Sequence, residues 1–463
     1  MDELLAWIWR HVASVAGFAL GLFLCLRLVR QRQRPSVTFA WLLVTLLVPY
    51  VGVPLYVLFG GRKLRGAFPA RAGASPPVVP PAGVEGLLVR EGQFAARDGN
   101  AIEWLLDGSS AYRRLFEELE RAQRSIRVAT FILARDATGR ALVELLARKA
   151  AAGVEVHLLL DALGSLGARG RFLAPLRRAG GHVASFLPVL PLHRRWSANL
   201  RNHRKLAVID GELGWTGGMN FAEEYLGPGP DAARWIDGSL FVRGPAVDDL
   251  LAVFAGDWRL ATGADLPPLA TPPGRARDAA RAQGAERVQV VATGPDTQGD
   301  ALSDAVLAAM VEARARIWLV TPYFIPDEAL ARALALQARL GRDVLLILPQ
   351  KSNHRLADLA RGKTLRDLAA AGVRVRCVPR RMLHAKAMVF DGALAVFGTA
   401  NLDLRSLYLN FELSLFLHSA AEVRDLAAWM EALERDTVPL AREKPRFLER
   451  TLADFAALAA PLL

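Results

Sequence analysis

Two blocks of this sequence hold residues whose types and spacing could do chemistry. The first reads His203-Arg-Lys205-Leu-Ala-Val-Ile-Asp210 and is followed by Gly217-Gly-Met-Asn220. The second reads His384-Ala-Lys386-Ala-Met-Val-Phe-Asp391 and is followed by Gly398-Thr-Ala-Asn401. Both fit His-x-Lys-x4-Asp, and in each an Asn stands seventeen residues after the His. The chain contains only eight His and seven Lys, so a repeat of this spacing is not a product of abundance. Arg supplies most of the basic side chains, and a Lys at both positions points to a need for a compact ammonium. On extended backbone alternate side chains share a face, so His203 and Lys205 are expected to point together, as are His384 and Lys386. If the two copies meet, they supply two imidazoles, two ammoniums and two carboxamides to one cleft. That set suits a phosphate diester. Lys205, Lys386, Asn220 and Asn401 would hold the non-bridging oxygens, one His would attack phosphorus and the other would protonate the departing alcohol.

A nucleophilic imidazole needs a fixed tautomer, and therefore an acceptor on its second ring nitrogen. Asp237, in Trp-Ile-Asp-Gly-Ser-Leu-Phe-Val, and Glu412, in Asn-Phe-Glu-Leu-Ser-Leu-Phe-Leu, are the candidates. Each follows the His of its own half by about thirty residues within β-like sequence. Asp210 and Asp391 complete the catalytic motif, with a role in the turn and in local ion pairs rather than in proton transfer.

The elements that must position these residues also come in two sets. Each half shows a helical pattern (Ser110–Arg124; Ala301–Arg314) and then an apolar run (Ile126–Leu133; Ile317–Ile325). A second helix (Ala141–Ala152; Glu328–Leu340) and strand (Val154–Leu160; Val344–Pro349) follow. Next come a helix ending in Ala-Gly (Phe172–Gly180; Leu365–Gly372), a strand (Val183–Leu187; Val373–Val378) and the His-x-Lys block. Alternating strands and helices predict an α/β fold, with two pseudo-symmetric halves that are each a mixed sheet flanked by helices. A spacing of roughly 180 residues implies duplication, since solenoid repeats run to about 20–50.

Ahead of the halves lie two runs without charged side chains, His11–Leu26 and Pro35–Gly61, separated by Arg27, Arg30, Arg32 and Arg34. They predict a two-helix transmembrane hairpin at 1–65 in a multi-pass protein of the cell membrane. An acidic start and the absence of a cleavage signal argue against a secretory leader. The basic residues balance on the two sides of the second run, so sidedness stays open. Pro-rich stretches predict linkers at 66–85 and 264–285, which bound the halves at 86–263 and 286–463. The run His193-Arg-Arg-Trp196 is either a basic lip at a membrane or a solvated loop. Phe447–Leu463 is weakly amphipathic and is expected to pack.

The duplicated block resembles the phospholipase D superfamily. Asn199-Leu-Arg-Asn-His-Arg-Lys205, Thr216-Gly-Gly-Met-Asn220, Thr321-Pro-Tyr-Phe-Ile-Pro-Asp327, Leu383-His-Ala-Lys386, Gly398-Thr-Ala-Asn-Leu-Asp-Leu-Arg-Ser406 and Asn410-Phe-Glu412 are similar to segments of the bacterial cardiolipin synthases. So is the hairpin, with Arg34-Pro-Ser and Trp41-Leu-Leu-Val, and so is the closing Pro461-Leu-Leu463. The resemblance implies two phospholipase D-like halves and phosphatidyl transfer between two phosphatidylglycerol molecules, giving cardiolipin and glycerol. It also implies a phosphatidyl-histidine intermediate without metal or other cofactor, with His203 as nucleophile and His384 as acid and base. The residues alone do not break that symmetry. The sequence departs from the family at Arg361-Gly-Lys-Thr364 and Trp235-Ile-Asp237-Gly, positions that bear on the choice of acceptor.

The net charge of +12 fits anionic partners, namely phosphatidylglycerol, other anionic phospholipids and a bilayer surface. It would also permit a nuclease, but there is no basic stripe interleaved with stacking aromatics, and nucleic acid is not expected. Two cysteines exclude a disulfide framework. Hydrolysis of the same intermediate by water, or transfer to another alcohol, is the alternative that the residues leave open.

Overall fold

The protein is described from a computed structural model covering residues 35–60, 81–188, 199–267, 284–297 and 299–441, with scattered helical positions between 4 and 23. His193–Trp196, Phe447–Leu463, most of both expected linkers and much of the first apolar run lie outside the described residues. The chain divides into two units, one of Met1–Gly66 with Val189–Leu200, the other of Ala67–Pro188 with Arg201–Leu463.

In the smaller unit the second apolar run does not form the single long helix expected of it. It breaks at Val48 into two helices, Pro35–Leu47 and Pro49–Phe59, with Pro49 in the first turn of the second. Pro fits that position because the amide it lacks would have no helical partner there. The helices fold back on one another, with the Trp41 and Tyr56 rings meeting edge-on at 5.5 Å. In a straight helix, fifteen residues would separate them by about 22 Å. Gly52 allows the close approach, since a Cβ there would lie 2.5 Å from the Val44 carbonyl oxygen. Among the described residues no helix is long and apolar enough to cross a membrane. The expected spanning hairpin is thus replaced over 35–60 by a short folded-back pair, whose Phe39, Leu47 and Tyr50 are exposed.

The larger unit is built on one fifteen-stranded sheet. Its strands are β1 (Arg97–Leu105), β2 (Ser125–Thr130), β3 (Glu155–Asp161), β4 (His182–Phe186), β5 (Leu206–Ile209), β6 (Leu213–Gly217), β7 (Ser239–Arg243), β8 (Glu286–Thr293) and β9 (Arg316–Val320), followed, after the short β10 (Phe324–Ile325), by β11 (Asp343–Pro349), β12 (Arg374–Val378), β13 (Ala387–Phe390) and β14 (Leu394–Gly398). Beyond the short β15 (Leu402–Asp403) come β16 (Glu412–Leu417) and β17 (Val438–Pro439). From the middle outwards one side runs β1-β7-β6-β5-β2-β3-β4 and the other β8-β16-β14-β13-β9-β11-β12-β17. The sides join where β1 pairs antiparallel with β8, so the sheet is continuous. β10 and β15 form a separate parallel pair.

The inner strands are apolar on both faces because helices cover both; among the described residues one large core lies around Leu115, Leu158 and Trp215 and another around Leu319, Leu346 and Phe416. Helix starts are fixed by side chains. Asp107 accepts from the Ser109 and Ser110 amides, Asp136 from that of Gly139 and Asp327 from that of Leu330. The helix expected from Leu365 begins earlier, at Arg355, and the linker expected at 66–85 ends in a helix, Gly83–Arg90.

One buried cation ties the strands together around the first His block. Arg204 is fully buried and donates to the carbonyls of Glu412 at 3.0 Å and Thr293 at 2.8 Å. Its guanidinium pairs with Asp257 and stacks over Phe411 at 5.1 Å. Asp257 also accepts from the Asn202 side chain at 3.0 Å. Replacing Asp257 with Ala strands this charge, and chemical denaturation should show a loss of about 3–5 kcal/mol. An unchanged unfolding free energy would contradict the assigned pairing.

Candidate active site

Two isolated backbone bridges decide where the site residues go. Asn202 pairs with Phe411 and Ile236 pairs with Leu383, both in parallel. The residue after each bridge position is a site residue: His203 beside Glu412, and Asp237 beside His384. The His203 amide donates to the Phe411 carbonyl at 2.9 Å, and the His384 amide to that of Ile236 at 2.7 Å. The side chains follow the backbone. His203 Nδ1 lies 3.1 Å from both carboxylate oxygens of Glu412, and His384 Nδ1 lies 2.6 Å from Asp237 Oδ2. Each imidazole therefore meets the carboxylate of the other half, not the one downstream in its own. The sequence offers the four residues, each carboxylate downstream of the His of its own half, but not their pairing, because spacing along the chain carries no record of contacts across the sheet.

His203 and Lys205 lie just before β5, and His384 and Lys386 just before β13, in irregular backbone rather than on the strands themselves. The ammoniums still return to their histidines. Lys205 Nζ donates to the His203 carbonyl at 2.7 Å and lies over the Phe131 ring at 5.6 Å. Lys386 Nζ bonds the His384 carbonyl and lies 2.7 Å from Nδ1 and 3.0 Å from Nε2 of the same ring.

The surroundings distinguish two histidines that the sequence leaves equivalent. His203 has Phe131 against it, with ring centroids 5.0 Å apart. His384 is walled by Tyr225 at 5.0 Å, Trp235 at 5.5 Å and Tyr323 at 6.4 Å. The carboxylates are seated differently as well. Gly218 makes room for Asp237, since a Cβ there would come within 2.2 Å of Oδ1. At the matching place after β14, Thr399 donates its hydroxyl to Glu412 Oε2 at 2.5 Å. Thr399 escapes the sequence reading because the Gly-x-x-Asn frame treats it as spacer; its hydroxyl beside a Gly was the available signal.

Burial dominates the electrostatics. It pushes His203 down to about 4 against the opposing pull of Glu412, with Lys205 and Lys386 adding to the fall. It pushes His384 down to about 3, where Lys386 and then Lys205 also disfavour the imidazolium. Each ammonium thus acts on the imidazole of the other half as well as on its own. Burial lowers Lys386 to about 8 and Lys205 well below the usual ammonium range. Burial raises Asp237, but Lys386 and His384 more than offset it, and the carboxyl titrates below its ordinary value. Glu412 behaves likewise, with His203, Lys205 and the Thr399 hydroxyl outweighing burial.

The remaining motif residues do not all reach this centre. Asp210, at positive φ, accepts from the amides of Gln123, Arg124 and Ser125 at 2.7–2.9 Å. Asp391, also at positive φ, does the same for Arg314, Ala315 and Arg316. Both carboxylates hold the start of β2 or β9 against the hairpin turn, which is the turn role read for them from the sequence, so they complete the motif without a part in proton transfer. Asn220 accepts from the Ile132 amide at 3.1 Å and bonds the Tyr225 hydroxyl. Asn401 gives Nδ2 to Asp403 at 3.0 Å and keeps a buried Oδ1 without a partner. In this arrangement Asn401 offers an acceptor, which suits a substrate hydroxyl better than a phosphate oxygen.

Comparisons with known proteins bear on the family and the fold. A family model described as the PLD-like domain of cardiolipin synthase matches residues 115–258 and 306–434, and a model of phospholipase D-nuclease N-terminal segments matches 19–61. A cardiolipin synthase of Geobacillus thermodenitrificans strain NG80-2 is 34% identical over 84% of this chain and 80% of its own length. Cardiolipin synthase A of Pseudomonas aeruginosa strain LESB58 is 33% identical over 97% and 94%. The crystal structure of a phosphatidylserine synthase from Haemophilus influenzae Rd KW20 superposes with a TM-score of 0.60 at 15% identity, covering 78% of this chain and 95% of that one, a likeness of fold.

The low imidazole values link the site to stability. Between pH 6.5 and about 4 the unfolded chain binds protons at these histidines that the folded chain refuses, so stability falls as pH falls through that window. Each imidazole should contribute a slope of roughly 1.4 kcal/mol per pH unit in denaturant titrations. A His203→Gln/His384→Gln double variant should flatten that slope. An unaltered slope would show that the two rings ionise freely in the fold.

Proposed function

We propose that this chain, which belongs to the cardiolipin synthase family of phospholipase D-like proteins, joins two phosphatidylglycerol molecules into cardiolipin with release of glycerol. The observation that carries the mechanism is the crossed pairing of His203 with Glu412 and His384 with Asp237. With Nδ1–H of His203 given to Glu412, Nε2 keeps its lone pair for attack on phosphorus. The bond from phosphorus to the headgroup oxygen breaks as His384 delivers a proton to it, and glycerol leaves. A hydroxyl of the second phosphatidylglycerol then gives its proton to His384 and attacks the phosphatidyl-histidine. The phosphorus–nitrogen bond breaks and both rings return to their starting states. Lys205 and Lys386 balance the charge on the non-bridging oxygens, and Asn220 braces Tyr225 against His384.

The choice of His203 as nucleophile follows the family pattern and is consistent with the more extensive aromatic wall around His384, a setting suited to a group that handles the alcohol. Transfer over hydrolysis is supported by burial, since both imidazoles are almost wholly withdrawn from solvent. The seven strands from β1 to β4 follow the same order as the seven from β8 to β12, to which β17 is added, and this supports reading the halves, 86–263 and 286–463, as a duplicated pair related by a pseudo-twofold axis. The exposed apolar side chains of the folded-back helices support attachment to the bilayer that holds the substrate.

Purified protein given phosphatidylglycerol alone, with a chelator present, should release glycerol and cardiolipin in equal amounts. Phosphatidic acid in place of cardiolipin would refute the transferase reading. Ala at His203 or His384 should lower turnover by roughly 10²–10⁴ or more. Full activity in either variant would remove the two-histidine mechanism. Replacing Phe39, Leu47 and Tyr50 together with Ser should reduce co-sedimentation with phosphatidylglycerol vesicles, and undiminished binding would assign membrane contact elsewhere.

A further inference from the structure

Beside the His203–Glu412 pair lies a second polar cluster that the chemistry above does not use. Arg201 stands two residues before His203, and its side chain is 4% exposed. Its Nη1 donates to the Leu187 carbonyl at 2.8 Å and lies 3.8 Å from Asp161. Its Nε and Nη2 are buried and have no hydrogen-bond partner among the described residues. The backbone carries the facing segment against it, because the Phe411 amide donates to the Arg201 carbonyl at 2.9 Å. That segment brings Asn410, whose Oδ1 is buried without a partner, and the Asn410 amide in turn bonds the Arg405 carbonyl at 2.8 Å. Arg405 is half-buried and interacts electrostatically with Arg201, Asp161, Asp403 and Glu412. Next to it the Ser406 hydroxyl is buried and unpartnered, and Asn401 Oδ1 is as well.

Two buried guanidinium donors left unpaired are costly unless a ligand completes them. Two guanidiniums placed near one another repel and favour an anion between or beside them. The edge that Arg201 leaves unpaired, Nε with Nη2, is the geometry that takes two oxygens of one phosphate. The nearby unpartnered oxygens of Asn401, Ser406 and Asn410 are acceptors, or in the case of Ser406 both donor and acceptor, and suit hydroxyl groups rather than a further anion.

We infer that Arg201, supported by Arg405, forms a second phosphodiester subsite beside the reaction centre, which holds the phosphate of the acceptor lipid while Asn401, Ser406 and Asn410 receive its glycerol hydroxyls. The inference rests on the phosphatidyl-transfer reading and adds the recognition element for the acceptor. It explains how a phosphatidylglycerol molecule could outcompete free glycerol, which offers the same hydroxyl without the phosphate.

The test compares two acceptors at one donor. The full-length protein is supplied with phosphatidylglycerol in mixed micelles. Cardiolipin formation is measured beside exchange of radiolabelled glycerol into phosphatidylglycerol, which uses the same intermediate with a neutral acceptor. In Arg201→Gln the ratio of cardiolipin formation to glycerol exchange should fall by about tenfold or more, with the loss in KM for the lipid acceptor. Arg201→Lys, which keeps charge but not the paired donors, should lie between it and the parent. An unchanged ratio, or a proportionate loss of both reactions, would overturn the subsite. Ser406→Ala gives the same comparison without touching a buried charge, and its ratio should fall in the same direction; an unchanged Ser406→Ala ratio would remove the hydroxyl-binding part. A parent protein that exchanges glycerol but makes no cardiolipin would instead refute the function on which the subsite rests.

Discussion

Neither histidine is completed by its own half of the chain. Two parallel backbone bridges, Asn202 with Phe411 and Ile236 with Leu383, set each imidazole beside a carboxylate contributed from across the sheet. Everything chemical in the site depends on that register. A shift by one residue would turn Glu412 or Asp237 to the opposite face and leave a buried charge without its partner. The register is held from several directions: by β1 pairing with β8, by Arg204 reaching the carbonyls of both Glu412 and Thr293, and by Asp210 and Asp391 pinning the strand starts.

The same burial that rigidifies the site sets its charge state. Imidazoles near 4 and 3 and an ammonium near 8 describe a centre in which positive charge is disfavoured although two carboxylates lie within it. An entering phosphodiester changes that balance. Its negative charge favours the protonated forms of Lys205, Lys386 and His384 together, so the substrate promotes the acid needed to expel its own headgroup. The anion draws on cations already placed, and little reorganisation remains for the transition state.

Much of this was legible in the residues. Two His-x-Lys blocks at one spacing pointed to the chemistry, and alternating apolar runs pointed to most helices and strands ahead of each block, although the helix expected from Leu365 starts at Arg355 and β1 and β8, where the two sides join, had no reading. The pairing of Asp237 and Glu412 was not legible, because composition and spacing along a chain do not report which strand segments meet across a sheet. The role of the motif aspartates was legible too: Asp210 and Asp391 recur with the histidines because both hold, at the turn, the strands that deliver them. Thr399 and Arg201 were hidden by position, one inside a glycine frame and one ahead of the motif. The second apolar run is broken into two helices at a residue that was in plain view. Pro49 begins a new helix after Val48, and Tyr56 returns to Trp41. Hydropathy over a window records neither event.

In the proposed mechanism attack and proton donation fall to two rings facing one phosphorus. A crystal structure with vanadate bound tests this most directly. It should place vanadium on Nε2 of His203, with Nε2 of His384 hydrogen-bonded to the apical oxygen on the opposite side and both Nδ1 atoms still on Glu412 and Asp237. Vanadate held by one histidine alone, with the other turned to the carboxylate of its own half, would contradict it.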